Sequence, residues 1–265
     1  MKAIAARFLA GLACGVFSSA ALGETPSFKV LKLQGNPVQW RGAVAKQGTV
    51  ITYAVVAEDM AFEGAQNCRN MTRLDGLVSA SRISSEDART EVSAAFGMWE
   101  AVANISFRVE ENPARADIVI GAQLEPVGWA FAEVFYDPNS RDPVKPILRS
   151  LICLNPERGW KVGFDGDLQR YDIRYTLAHE IGHAIGLDHP AGAGQIMDYS
   201  YREEFRKLQP GDIAGVLQLY GERRPDKIFG STERMQRQQE PKSAEREQRV
   251  RRPATGILGK AGGAR

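Results

Sequence analysis

The sequence predicts an α+β fold, with an α/β layering as the alternative arrangement. Three observations carry this. Short segments rich in β-branched and aromatic residues recur along the chain, two of them flanking a long amphipathic stretch. Two further helical patterns come late, after the strands. Composition is that of an ordinary folded chain, with 43% hydrophobic and 25% charged residues over 265 positions, which excludes a collagen, a wholly disordered chain and a polytopic membrane protein.

The elements follow in order. Val50 to Val56 (VITYAVV) reads as a strand, and the polar, turn-rich residues 58–83 read as a long loop. Ser84 or Ser85 caps a helix running to about Ala103, with Glu86 and Asp87 in its first turn and Val92, Phe96, Trp99 and Ala103 on one face. Ile105 to Val109, Asp117 to Gly121 and Trp129 to Tyr136 follow as strands. Asp137 to Pro146 holds three prolines and reads as a loop, and Leu151 to Leu154 as a short strand. Tyr171 to Leu187 is a helix with Asp172 as its cap, and Pro210 and Asp212 open a last helix lined by Ile213, Val216, Leu217 and Tyr220. There is no internal repeat.

The two ends differ from the middle. Lys2 and Arg7 precede an uncharged, mostly apolar run from Phe8 to Ala20, and Ala21-Leu22-Gly23 offers small residues for cleavage before Glu24. Residues 1–23 therefore read as an export signal, the alternative being a retained anchor, and the run is short for a span of about 20 residues. The expected location is secreted, periplasmic or extracellular, with no transmembrane span after cleavage. Residues 223–265 carry 12 Lys and Arg against 5 Asp and Glu, a net of +7, leaving residues 1–222 at −5. With few large apolar residues, this tail is expected to be disordered and solvated, with no specific nucleic-acid partner. Cys14 leaves with the signal. Cys68 and Cys153 form one disulfide or stand as two separate thiols, and the sequence leaves both open.

All three histidines fall within eleven residues, as His179-Glu180-Ile-Gly-His183-Ala-Ile-Gly186-Leu-Asp-His189. His179 and His183 are four apart, so both imidazoles leave one helix face and can grip one Zn²⁺. Glu180 then points at water on the metal and is the natural general base. Gly186 can turn left-handed and end the helix, and the returning chain brings His189 as a third ligand. Three protein ligands leave an open position, the pattern of a catalytic rather than a structural site. The bland reading is a helix with solvated histidines. The third histidine, the turning glycine and the lack of any other histidine argue against it.

The pattern HExxHxxGxxH resembles the metzincin metallopeptidases. Their Met-turn is matched by Ile196-Met197-Asp198-Tyr199, with Met197 as the floor beneath the metal. Within that clan the chain resembles the matrixins, the group of the matrix metalloproteinase catalytic domain. The matching pieces run from about Trp40 to Gly221: VITYAVV, AFGMWEAVANISFRVEE, ADIVI, Leu177 through Pro190, and LQPGDIAGVLQLYG. The resemblance implies a zincin-like, twisted, five-stranded mixed sheet with three main helices and an active-site cleft under an edge strand, residues 24–222 forming the peptidase domain. It implies a secreted zinc endopeptidase acting on extended peptide or protein substrates, expected to be a monomer. Trp129 to Ala132 would be the edge strand, with Ala130 and Ala132 as backbone contacts for substrate.

The chain also departs from that family. Animal matrixins hold a second, structural zinc with histidines, and none is left here, so a single zinc is expected. Ca²⁺ is a further candidate on the loop residues Asp137, Asn139, Asp142, Asp165 and Asp167, which are otherwise turn formers. Between Glu24 and Val50 there is neither a cysteine nor room for a cysteine-switch prodomain. Tyr199 follows Met197 by two residues, as in astacins and serralysins. It is either a donor to the developing oxyanion or a buried tyrosine satisfied by backbone. The rival function is a non-catalytic zinc-binding envelope or adhesion protein that keeps the fold.

Overall fold

The computed structural model describes residues 27–41, 48–192 and 194–223. The export signal over 1–23 and the tail beyond Arg223 lie outside the described residues. In chain order the strands and helices are β1 (Lys29–Val30), β2 (Lys32–Leu33), β3 (Asn36–Trp40), β4 (Thr49–Val55), β5 (Met60–Ala61), β6 (Asn70–Thr72), α1 (Asp75–Ala80) and α2 (Ser85–Glu100). They continue as β7 (Ile105–Val109), β8 (Ile118–Gln123), β9 (Ala130–Tyr136), β10 (Lys145–Leu154), β11 (Gly159–Lys161), β12 (Arg170–Asp172), α3 (Ile173–Ala184), β13 (Leu187–Asp188) and α4 (Pro210–Tyr220).

The five expected strands form the centre of a mixed sheet in the order β7-β4-β8-β10-β9. The first four run parallel, and β9 lies antiparallel along β10 with Ala132 opposite Ile152. The short strands β2, β3, β5 and β6 extend it to nine. The fold is therefore the expected α+β arrangement. Strand β8 is buried along its whole length, as a strand covered on both faces must be. One face packs on α2 and α3 around Phe96, Trp99, Ile118, Ile120, Ile152 and Ile181. The other carries a smaller cluster of Val56, Phe62, Met71, Val119 and Leu151.

Cys68 and Cys153 are bonded in that second cluster, with a Cα–Cα distance of 5.5 Å. The bridge pins residues 62–72 over β10 and the back of β9. Glu133 of β9 reinforces this by accepting from the Gln66 N–H at 2.9 Å and the Asn67 N–H at 2.5 Å. Glu133, Phe131 and Phe135 face this side, whereas Ala130, Ala132 and Val134 face the helices, the period-two alternation of a strand.

Three expectations are corrected. The stretch 58–83 is not all loop, because it holds β5, β6 and the six-residue α1, whose Leu77 and Val78 are buried. Strand β10 begins at Lys145, inside the proline-rich segment: Pro146 sits at the start of the strand, just ahead of the register shift between Ile147 and Arg149 in its pairing with β9, where a missing donor is tolerated. Helix α3 ends at Ala184 rather than Leu187. Its start is as expected, with the Asp172 carboxylate accepting from the Tyr175 N–H at 2.8 Å.

Candidate metal centre and cleft

Helix α3 is held at both ends and along one side. At its start, Asp172 also accepts from Gly163 N–H at 2.6 Å and from Arg206 Nη2 at 2.8 Å. Arg206 and Arg174 both reach Glu91 of α2, a buried carboxylate paired with two guanidinium groups. Along its side, the Trp99 indole donates to the Ala178 carbonyl at 3.0 Å. At its end, the orphan carbonyls are taken by side chains. The Trp40 indole and the Ser150 hydroxyl both donate to Ala184 O at 3.0 Å, and the Tyr220 hydroxyl donates to Ile185 O at 2.6 Å. Gly186 then takes φ +104 and turns the chain back toward β13.

The turn brings the three histidines together. Their Nε2 atoms form a triangle with sides of 3.1, 3.1 and 3.2 Å. His179 Nδ1 lies 2.7 Å from Ile196 O, and His183 Nδ1 lies 2.8 Å from Leu187 O. A carbonyl only accepts, so in both rings Nδ1 carries the hydrogen and Nε2 presents a bare lone pair. Lone pairs meeting at this distance repel unless a cation sits among them. Tetrahedral Zn–N bonds of about 2.0–2.1 Å would separate ligand nitrogens by about 3.3 Å, so the donor set fits the ion. Burial also keeps the rings unprotonated, chiefly by desolvation. It lowers all three, with His183 brought down to about 4 and His179 well below the usual imidazole range. This is the one group of three or more such side chains among the described residues.

The segment below the helix is fixed by Asp212. Its carboxylate accepts from the Ile196 N–H at 2.9 Å and the Met197 N–H at 3.0 Å, and from Gln209 N–H at 2.8 Å. Ile196 O is the carbonyl that orients His179. Met197 is buried, and its sulfur fills the space against Gly182 where a Cβ would stand.

A cavity of about 530 Å³ lies between β9 and α3, and the three histidines, Glu180 and Tyr199 line it together with Ala130 and Ala132. Glu180 is 6% exposed. Desolvation pushes its carboxyl up to about 8, opposed by the Ala132 N–H. A dication among the rings would draw it back down. Tyr199 is not the buried tyrosine of the second expectation: it is 83% exposed, with its ring 5.2 Å from that of His189. Trp129 stacks on Tyr171 at 3.6 Å, and Tyr171 stacks on Tyr201 at 4.0 Å. The sequence placed Trp129 in the edge strand and Tyr201 in the pocket wall, but it did not single out the place of Tyr171 between them or the residues Leu31 and Leu33.

The loop acids proposed for calcium have other partners. Asp137 accepts from Asn139 N–H at 3.0 Å, and Asp167 from Gln169 N–H at 3.0 Å. Asp165 is ion-paired to Lys161, whose buried ammonium also meets Glu203 and the Asp167 carbonyl. These contacts hold the carboxyls of Asp165 and Glu203 below the usual range despite desolvation of both: in Asp165 the Lys161 hydrogen bond is the largest influence, and in Glu203 it opposes burial.

A helix face with two histidines, a turn returning a third, and an edge strand above them define a cleft whose three rings could hold a metal ion. A sequence model of the family described as Matrixin matches residues 75–221. The chain belongs to the matrixin family. It is 33% identical over 156 residues to Matrix metalloproteinase-19 of Mus musculus, covering 55% of this chain and 27% of that protein. It is 32% identical over 158 residues to Metalloendoproteinase 1-MMP of Arabidopsis thaliana, covering 52% and 39%. Karilysin of Tannerella forsythia is 26% identical over 152 residues, covering 54% and 30%. The chain thus spans between about a quarter and two-fifths of the length of these relatives.

Proposed function

We propose that this chain is a zinc-dependent endopeptidase that hydrolyses peptide bonds in extended protein or peptide substrates. The observation that carries the reading is the triangle of Nε2 atoms from His179, His183 and His189, with Glu180 beside it in a cleft. A zinc ion held by those three residues would supply Lewis acidity and bring the pKa of water down from about 15.7 toward about 7. Glu180 takes the proton from the attacking water and passes it to the leaving nitrogen. Burial suits it to hold that proton between the two transfers. Tyr199, exposed at the cleft beside His189, donates to the developing oxyanion. The edge of β9 at Ala130 and Ala132 pairs with the substrate backbone. Met197, held by Asp212, supports the metal site from below.

The disulfide supports a place outside the reducing cytosol. Among the described residues no helix is long and apolar enough to cross a membrane. The disulfide agrees with the export signal expected at residues 1–23, and we take the working form to start near Glu24 and act as a monomer.

Zinc content and cleavage of a mixed peptide library test the reading together. One zinc per chain is expected, with cleavage abolished by chelator and restored by added zinc. One zinc without cleavage would favour the non-catalytic binding protein, and no zinc would reject the centre. In the same assay Tyr199→Phe should lower kcat about tenfold, with zinc content and KM unchanged, if the hydroxyl stabilises the transition state. An unchanged kcat removes Tyr199 from the mechanism.

A further inference from the structure

The cleft is bounded at its His183–His189 end by the described segment 29–40. Strands β2 and β3 form a hairpin whose turn, Gln34-Gly35, has φ of +50 and +82. Leu31 and Leu33 line the same cavity as His183, His189 and Val134. The hairpin is fixed to both lips. On the lower lip β1 pairs with β13, Leu31 N–H donates to Gly186 O at 2.8 Å, and Lys29 Nζ meets Asp188 at 2.6 Å. On the upper side β3 pairs with the start of β10, and the Tyr136 hydroxyl at the end of β9 donates to Gln34 Oε1 at 2.8 Å.

We propose that this hairpin is an end-stop that limits how many substrate residues can pair with β9, and so selects where a chain is cut. The inference rests on the peptidase reading above. Glu180 faces the backbone at Ala132, and Tyr136 is four residues further along the strand. At about 3.3 Å per residue this leaves about 13 Å of free edge before the hairpin. Antiparallel pairs are the commoner kind, and an antiparallel substrate runs its N-terminal arm toward Tyr136. That arm gains pairing for about four residues and then meets Leu33 and Gln34 instead of a strand edge. The substrate class is a segment with a short N-terminal arm before the scissile bond, or one that bends away there. Leu31 and Leu33 favour an apolar side chain at the far end of the arm. Lys29 and Asp188 neutralise each other, so they do not select for charge.

Two nested peptide sets on one scissile sequence test this, one lengthened from two to eight residues on the N-terminal side and one on the C-terminal side. Cleavage is read as kcat/KM with the zinc-loaded protein. Binding is read separately, by calorimetry of the same peptides on the Glu180→Ala protein. Both should rise with N-terminal length to about four residues and then level off. In a full chain carrying Leu33→Gly and Tyr136→Phe, which removes the Leu33 side chain and the Tyr136–Gln34 hydrogen bond while leaving the β3–β10 pairing in place, the levelling point should move outward. The eight-residue arm should then exceed the four-residue arm about fivefold, the worth of one net backbone hydrogen bond, with the C-terminal set unchanged. Continued gain beyond six residues in the unaltered protein, or an unmoved levelling point in the variant, overturns the end-stop. Cleavage without levelling rejects the end-stop alone; absence of both cleavage and binding rejects it together with the peptidase reading.

Discussion

Glu180→Ala should lower kcat/KM about a thousandfold while leaving the zinc content at one per chain. Positioned general acid–base groups contribute about 10²- to 10⁴-fold, and Glu180 is the one carboxylate whose side chain is both buried and lining the cleft beside the three rings. The side chain is not a ligand of the triangle, so the Nε2 atoms and their Nδ1 anchors at Ile196 O and Leu187 O stay in place. Stability should not suffer. Burial raises the proton affinity of this carboxyl, so in the metal-free fold its ionised form is disfavoured at pH above the unfolded value. Removing it relieves that cost, and a melting curve at pH 8 should show an equal or higher Tm. Such a gain at the expense of activity is the expected trade-off at a buried catalytic carboxyl. Glu180→Gln should be as inactive as Glu180→Ala, because it keeps the shape and removes the base. Cleavage within tenfold of the unaltered protein would reject Glu180 as the base, and loss of zinc would show that it acts by holding the centre together.

Much of the candidate site could be read from the sequence because its chemistry is local. His179, Glu180 and His183 share one helix face, and one turn at Gly186 brings back His189. Helical periodicity is enough to place such groups. The five central strands were legible for a similar reason, each being a short β-branched run bounded by turn residues. What escaped is long-range and chemically plain. Leu31 and Leu33 carry no functional group, and they reach the cleft only because β1 pairs with β13 more than 150 residues later. The salt-linked cap of α3 joins Glu91, Asp172, Arg174 and Arg206 from three separate regions. Lys161, Asp165 and Glu203 are likewise brought together by the fold, and read alone each is an ordinary surface charge. The disulfide was undecidable in sequence because two cysteines 85 residues apart say nothing of their Cα distance. Helix α1 is hidden because only Leu77 and Val78 mark its buried side.

Gly186→Ala should be strongly damaging for a single methyl group, and it tests how far the metal centre depends on one turn. A Cβ there would stand 2.5 Å from the Val38 carbonyl oxygen and 3.3 Å from Leu219. The carbonyl cannot step aside easily, since Val38 is fully buried and β3 is paired with β10. The backbone itself is at φ +104, which costs a residue with a side chain about 1–2 kcal/mol. Overpacking adds about 1–3 kcal/mol, giving a loss of about 3 kcal/mol, or about 6–12 °C in Tm for a domain of this size. Gly192 is the matched control. It has φ +126 but no atom within 4 Å of the same added carbon, so Gly192→Ala should show the backbone cost alone. The two also differ in what they displace. Gly186 precedes His189 by three residues and accepts from Leu31 N–H, so moving it shifts the third nitrogen out of the triangle. Zinc should therefore dissociate more readily from Gly186→Ala, read by competition with a chelator of known affinity, and remain as tightly held in Gly192→Ala. Equal melting shifts in the two variants would mean that the Val38 contact relaxes freely. Unchanged zinc affinity in Gly186→Ala would mean that His189 is positioned by its own neighbours, Asp188 and Tyr199, rather than by the turn.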